Sequence, residues 1–243
     1  MRTSNIVNKF AAIIAVMLAA VCLVHGADSK TSTAKNKYTA EVAKLAAAPA
    51  PAPGGILLVG SSIFRKWTNC VEMLAPLPVT DRAFGGSQTK DQLFFFDQIV
   101  PNSRAALVVW YCGSNDVNAK KTPDYVLENT RQWIGKTRAA LPQARILLVS
   151  TIRSPQKRAA GYLATVDSLN KELSKLAASI PNVTYVDVNP ALEVASGESV
   201  MACYVEDNLH LTQEGYRRMT SVLRPVMEKE WKGSSAAKPA VTP

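Results

Sequence analysis

The sequence predicts a three-layer α/β domain in which helices cover both faces of a parallel sheet of about five strands. Three observations carry that expectation. Short apolar runs without charge, such as Ile56-Leu57-Leu58-Val59 and 106–111, are what a strand buried on both faces requires. Amphipathic helical stretches separate these runs, and strands alternating with helices form a parallel sheet through right-handed crossovers. The runs also end on Gly and Ser, at 60–62, 85–87 and 113–114, the punctuation expected where a strand hands over to a helix.

The elements follow in order. Arg2 and Lys9 precede an uncharged apolar run from Phe10 to Val24, and Val24-His25-Gly26 suits the small-residue rule for cleavage after Gly26. Residues 1–26 are therefore expected to be a signal peptide and the mature chain to be secreted or periplasmic. The run is short for a bilayer span, and an uncleaved membrane anchor is the alternative. Residues 27–54 read as an Ala/Pro-rich linker ending in Ala48-Pro49-Ala50-Pro51-Ala52-Pro53-Gly54. Within it the spacing of Tyr38, Val42 and Leu45 predicts a short helix over 38–48.

The body is expected at 55–231 and a disordered tail at 232–243. Its strands are 56–59, 79–84, 106–111, 146–151 and 183–187. Thr122-Pro123 is an N-cap followed by the favoured first-position proline, and Val126, Leu127, Trp133, Ile134 and Leu141 give the following helix one apolar face. Tyr162, Leu163, Val166, Leu169, Leu173, Leu176 and Ile180 give the next helix another, and such stripes are core. A closing helix spans about Thr212 to Trp231, bent near Pro225. No internal repeat is present.

Composition narrows the function classes. The formal charge is +9, and cleavage after Gly26 would remove Arg2 and Lys9 and leave 26 basic against 19 acidic residues. The basic residues are scattered with no aromatic-interleaved stripe, so no nucleic-acid partner is expected. Arg153, Lys157 and Arg158 follow a strand and belong at the rim of the sheet's carboxyl edge, where solvated loop charges are the plain account of them. Export would leave Cys70, Cys112 and Cys203, an odd number that permits at most one disulfide without choosing the pair. Cys112 lies in a charge-free strand and reads as a packed hydrophobe. No Cys/His cluster has zinc-ligand spacing, so neither metal nor cofactor is expected.

Chemistry gathers at the strand ends. After the signal the chain keeps one histidine, His210, in Asp207-Asn208-Leu209-His210. An imidazole exchanges a proton near neutral pH, and a carboxylate three residues upstream can hold its Nδ1–H. Ser61 and Ser62 follow the first strand, at the crevice where an open α/β sheet binds ligands. Gly85-Gly86-Ser87 follows the second, and its bare backbone can approach a substrate. Cys112-Gly113-Ser114-Asn115-Asp116 follows the third, and Asn115 can offer a side-chain N–H to the same crevice.

These blocks, Gly60-Ser61-Ser62-Ile63, Phe84-Gly85-Gly86-Ser87, Gly113-Ser114-Asn115-Asp116 and Asp207-Asn208-Leu209-His210, resemble in content and order those of the GDSL or SGNH-family serine hydrolases. The resemblance implies a flavodoxin-like α/β/α SGNH-hydrolase fold with strand order 2-1-3-4-5. It implies Ser62 as nucleophile, His210 as general base and Asp207 as its orienting acid. The amides of Ser62 and Gly86 with the Asn115 carboxamide would form the oxyanion hole. The family's Gly-Asp-Ser is here Gly-Ser-Ser, which makes Ser61 a rival nucleophile, and Asp81-Arg82-Ala83 stands where many members carry Asn-Arg-Gly.

The function expected is an exported esterase that hydrolyses carboxylic esters through an acyl-enzyme. Its partner would be a small-molecule or glycan/lipid ester, with a short acyl group on a saccharide favoured, and no stable membrane insertion is expected after signal removal. An acyltransferase of the same fold and a non-catalytic binding module are the alternatives. No Gly-x-Ser-x-Gly elbow marks an α/β-hydrolase, and no Walker lysine follows Gly60.

Overall fold

The structure is a computed structural model that describes residues 36–234. The expected signal peptide, the first part of the expected linker and residues 235–243 of the expected tail lie outside the described residues. Among the described residues, those from Tyr38 to Ser234 fall in one unit. Its sheet comprises β1 (Ile56–Gly60), β2 (Val79–Asp81), β3 (Leu107–Tyr111), β4 (Arg145–Val149) and β5 (Val183–Val186). Every pairing is parallel, and the order is β2-β1-β3-β4-β5.

The helices in chain order are α1 (Thr39–Ala47), α2 (Ser62–Arg65), α3 (Cys70–Leu74), α4 (Thr89–Phe94), α5 (Phe96–Ile99) and α6 (Ser114–Asn118). They continue as α7 (Pro123–Ala140), α8 (Pro155–Ala159), α9 (Leu163–Ala178), α10 (Asn189–Leu192) and α11 (Gln213–Lys232). None is long and apolar enough to cross a membrane.

Alternation along each strand sorts the core into two layers. Leu57, Val59, Val108, Trp110, Ile146 and Leu148 face α1, α5, α7 and α9, where Val42, Phe96, Trp133, Val166 and Leu173 complete one cluster. Ile56, Leu58, Leu107, Val109, Leu147 and Val149 face α2, α3 and α11, where Phe64, Leu74, Met219, Leu223 and Met227 complete the other. β1 and β3 are buried along their whole length, which explains their charge-free sequence. Burying each such aliphatic side chain contributes roughly 1.5–3 kcal/mol. The helix starts follow local chemistry: Thr122 Oγ1 accepts the Tyr125 amide at 3.3 Å with Pro123 next to it, and Thr212 Oγ1 accepts the Gly215 amide at 3.2 Å.

Some boundaries differ from expectation. β2 closes at Asp81, because ladder bonding beyond it thins to single bonds from Arg82 N to Leu58 O at 2.9 Å and Phe84 N to Gly60 O at 3.0 Å. α11 runs through Pro225 to Lys232, and Ser234 beyond it is buried with its hydroxyl donating to Gln143 O. The residues from 38 to 54 lie on the body: Val42 is fully buried, Arg82 donates to Ala48 O and Pro49 O, and Trp231 Nε1 donates to Gly54 O.

Candidate active site

The site begins where β1 stops. Gly60 has φ +142°, and a Cβ there would stand 2.0 Å from Tyr111 O, so only glycine lets β1 and β3 close at this point. The next amide, Ser61 N, donates to that same Tyr111 carbonyl at 3.0 Å, and α2 then starts at Ser62. The two serines face opposite ways. Ser61 is 1 % exposed and its Oγ has no partner among the described residues, whereas Ser62 Oγ lies 2.8 Å from His210 Nε2.

His210 is delivered by the loop before α11, which an isolated antiparallel bridge between Tyr204 and Leu211 pinches shut. Asp207 acts on both sides of this loop. Its Oδ1 accepts the amides of Leu209 at 3.0 Å and His210 at 2.9 Å, and its Oδ2 lies 2.5 Å from His210 Nδ1. Burial opposes the carboxylate, but the bonds from the His210 ring and the two amides outweigh it and hold Asp207 at about 2. An ionised carboxylate at Nδ1 fixes the tautomer with the proton on Nδ1 and the lone pair on Nε2, facing Ser62. Ser62, His210 and Asp207 thus form one hydrogen-bonded chain.

Three N–H groups lie on the segments that follow β1, β2 and β3. Ser62 N is at the first position of α2, and Gly86, at φ +74°, is exposed; among the described residues no protein acceptor takes either amide hydrogen. Asn115 gives one Nδ2 hydrogen to Ser87 O at 3.0 Å, which leaves the other for the crevice. Buried Asp116 joins these loops by accepting the Thr89 hydroxyl at 2.7 Å and amide at 3.1 Å; burial raises its pKa and those bonds lower it. Gln92 Nε2 braces the strand end, donating to Gly60 O at 2.7 Å and Ser87 Oγ at 2.8 Å. A serine beside a general base and a set of unpaired N–H groups can carry out acyl transfer.

The sequence signature of the GDSL-like Lipase/Acylhydrolase family matches residues 51–218. The chain belongs to this family. Among solved structures it is similar to a GDSL-like lipase from Bacteroides thetaiotaomicron, with 22 % identity and TM-score 0.68 over 79 % of this chain and 98 % of that one. It is also similar to the lipase/acylhydrolase from Enterococcus faecalis, with 17 % identity and TM-score 0.62 over 76 % of this chain and 100 % of that one. A carbohydrate esterase family 3 protein from Talaromyces cellulolyticus shares 16 % identity and TM-score 0.61 over 74 % of this chain and 99 % of that one. At these identities the likeness is one of fold. No curated protein sequence matches the chain. Membership in the GDSL-like acylhydrolases makes the chain a carboxylic ester hydrolase.

Within that acylhydrolase frame, the structure adds residues that the sequence did not flag. Lys66 caps α2, one turn after Ser62, and its Nζ stands 3.2 Å from His210 Nδ1. An ammonium has only hydrogens to give, so Lys66 competes with the ring's own proton at Nδ1 instead of extending the chain. The one-turn spacing from Ser62 was the available signal. Tyr38 donates to Gly86 O at 2.6 Å from outside the family-matched residues.

The basic cluster after β4 is not a set of solvated loop charges. Arg153 pairs with Asp167 at 2.8 Å and Glu193 at 2.7 Å, and Arg158 donates to Gly197 O at 2.7 Å. Lys157 is fully buried, donating to Asn118 Oδ1 at 2.6 Å and Gln156 Oε1 at 3.1 Å, and burial pulls its ammonium down to about 8. Lys157 and Arg158 sit on α8, which Gln156 N ties to the His210 loop by donating to Asn208 O at 2.9 Å, and Arg153 lies just before that helix. Cys70, Cys112 and Cys203 are free and buried, and burial raises the Cys112 thiol well above its ordinary value, which leaves it no thiolate character. Among the described residues no group of three or more His, Cys, Asp or Glu is placed to hold a metal ion. A cavity of about 390 Å³ lined by Leu45, Arg82 and Arg104 lies at the linker, away from Ser62.

Proposed function

We propose that the protein is an exported serine esterase that cleaves short acyl esters, preferentially on saccharides, through an acyl-enzyme. The observation that carries this reading is the chain from Ser62 Oγ to His210 Nε2 at 2.8 Å and from His210 Nδ1 to Asp207 at 2.5 Å. Ser62 Oγ attacks the ester carbonyl carbon as Nε2 takes its proton, and the negative oxygen falls between the amides of Ser62 and Gly86 and the Asn115 carboxamide. The imidazolium, stabilised by Asp207, returns the proton to the departing alcohol. Water then repeats the sequence on the acyl-enzyme, releasing the acid and restoring Ser62.

Two features support the substrate class. The rim beside His210 is polar and open, with Lys66, Glu206 and Asn208 exposed, which suits an alcohol rich in hydroxyls. The similar fold of a carbohydrate esterase supports it too. Export rests on the charged start, apolar run and Val24-His25-Gly26 pattern. Mature protein from a native host beginning at Ala27 would support it, and an intact Met1 in the membrane fraction would refute it.

The test of the chemistry is labelling by a fluorophosphonate, followed by acetate release from an acetylated oligosaccharide with and without a sugar acceptor. Wild type and Ser61→Ala should label and release acetate, and Ser62→Ala should do neither. The reverse pattern moves the nucleophile to Ser61. No labelling of wild type makes the protein a binding module, and turnover that requires the acceptor makes it an acyltransferase.

A further inference from the structure

We propose that Tyr38 is a positioning residue for the oxyanion loop, its hydroxyl holding the Gly86 peptide so that the Gly86 amide stays aimed at the substrate oxygen. The inference rests on the acyl-enzyme reading of Ser62, and it brings into the catalytic apparatus a helix outside the family-matched residues 51–218.

The loop needs an external hold. It is fixed at one end by Phe84 N donating to Gly60 O at 3.0 Å and at the other by Ser87 Oγ donating to Phe84 O at 2.9 Å. Between these anchors stand Gly85 and Gly86, the residue type with the greatest backbone freedom. Gly86 is exposed and sits at φ +74°. An N–H that must meet an oxyanion at hydrogen-bond distance gains little from a peptide free to rotate, because stabilisation of this kind depends on donors already oriented.

Tyr38 supplies that hold from two directions. Its ring packs edge-on against Phe84 with centroids 5.2 Å apart, and its hydroxyl donates to Gly86 O at 2.6 Å. One side chain therefore grips the residues on either side of Gly85. The ring cannot drift, since Tyr38 is 5 % exposed and Val42, one turn on, is fully buried in the same cluster. Glu41 meets Arg65 at 3.1 Å, which also ties α1 to the helix that starts at Ser62. That pair is half exposed and adds registration more than stability. The bond to the Gly86 carbonyl holds the peptide unit after Gly86 and the ring holds Phe84 before Gly85, so the Gly85–Gly86 peptide that carries the Gly86 N–H is tethered on both sides and its swing is restricted.

The experiment uses the full chain and Tyr38→Phe, which keeps the ring against Phe84 and removes only the hydroxyl. Hydrolysis of p-nitrophenyl acetate, melting temperature and inhibition by an alkyl boronic acid, which becomes a tetrahedral anion on serine, are measured together. Expected are an unchanged KM, a kcat lower by on the order of ten- to a hundredfold, and a matching loss of boronic-acid affinity, because a catalytic donor is displaced without loss of substrate contacts. Lys44→Gln, at an exposed position of the same helix, should leave all three readouts as in wild type. An unaltered kcat in Tyr38→Phe overturns the inference, as does a fall in kcat that follows melting while boronic-acid affinity holds. Wild-type hydrolysis that survives Ser62→Ala overturns the acyl-enzyme reading and this inference together, whereas Ser62-dependent hydrolysis with an unaltered Tyr38→Phe overturns this inference alone.

Discussion

On the proposed mechanism, Asp207→Asn separates the structural work of this carboxylate from its chemical work, because the two fall on different oxygens. Oδ1 accepts the Leu209 and His210 amides at 3.0 and 2.9 Å, and Oδ2 faces His210 Nδ1 at 2.5 Å. An asparagine keeps a carbonyl for the two amides and presents an NH2 to the ring. Nδ1 must then accept, so the ring proton moves to Nε2 and points at Ser62 Oγ, where a lone pair is needed. Lys66, 3.2 Å from Nδ1, donates to the same lone pair and reinforces the wrong tautomer. The expected loss in kcat is about 10⁴-fold, or about 5 kcal/mol in the transition state. The Asp207 side chain is 45 % exposed and its loop bonds survive, so the melting temperature should stay within about 2 °C of wild type. Steady-state hydrolysis of p-nitrophenyl acetate with thermal melting measures both. A loss below tenfold with an intact fold would refute the assignment of Asp207 as the group that orients His210.

Two more tests bear on neighbouring groups. Asn115→Ala should lower kcat by about a hundredfold or more with little change in KM, since a lost oxyanion donor costs about 2.7–4 kcal/mol; a loss confined to KM would remove Asn115 from the oxyanion hole. Lys157 should make stability rise with alkaline pH: its folded value of about 8 lies below the ordinary 10.5, so between them the unfolded chain binds more protons than the native one. Denaturant titrations of wild type and Lys157→Met across that window should diverge by on the order of 3 kcal/mol, and parallel curves would show that burial leaves the ammonium unperturbed.

The architecture and the four blocks at the sheet's carboxyl edge were legible in the order of residue types. Strands buried on both faces must be free of charge, so 56–59 and 106–111 declared themselves, and a helix that buries one face must repeat every three or four residues, so α7 and α9 did too. The order of the strands came from family likeness, since alternation alone permits several. Contacts between segments far apart in the chain were legible only once it had folded. Folding turned Ser62 toward His210 and buried Ser61, a distinction that two adjacent serines do not carry in their letters. It set Lys66 beside an imidazole 144 residues away, drew Lys157 under Asn118, and laid Tyr38 against a glycine 48 residues on. No periodicity records such contacts. They arise when burial of two apolar layers fixes the sheet and helices in place, and that packing determines which loops meet at the sheet's edge.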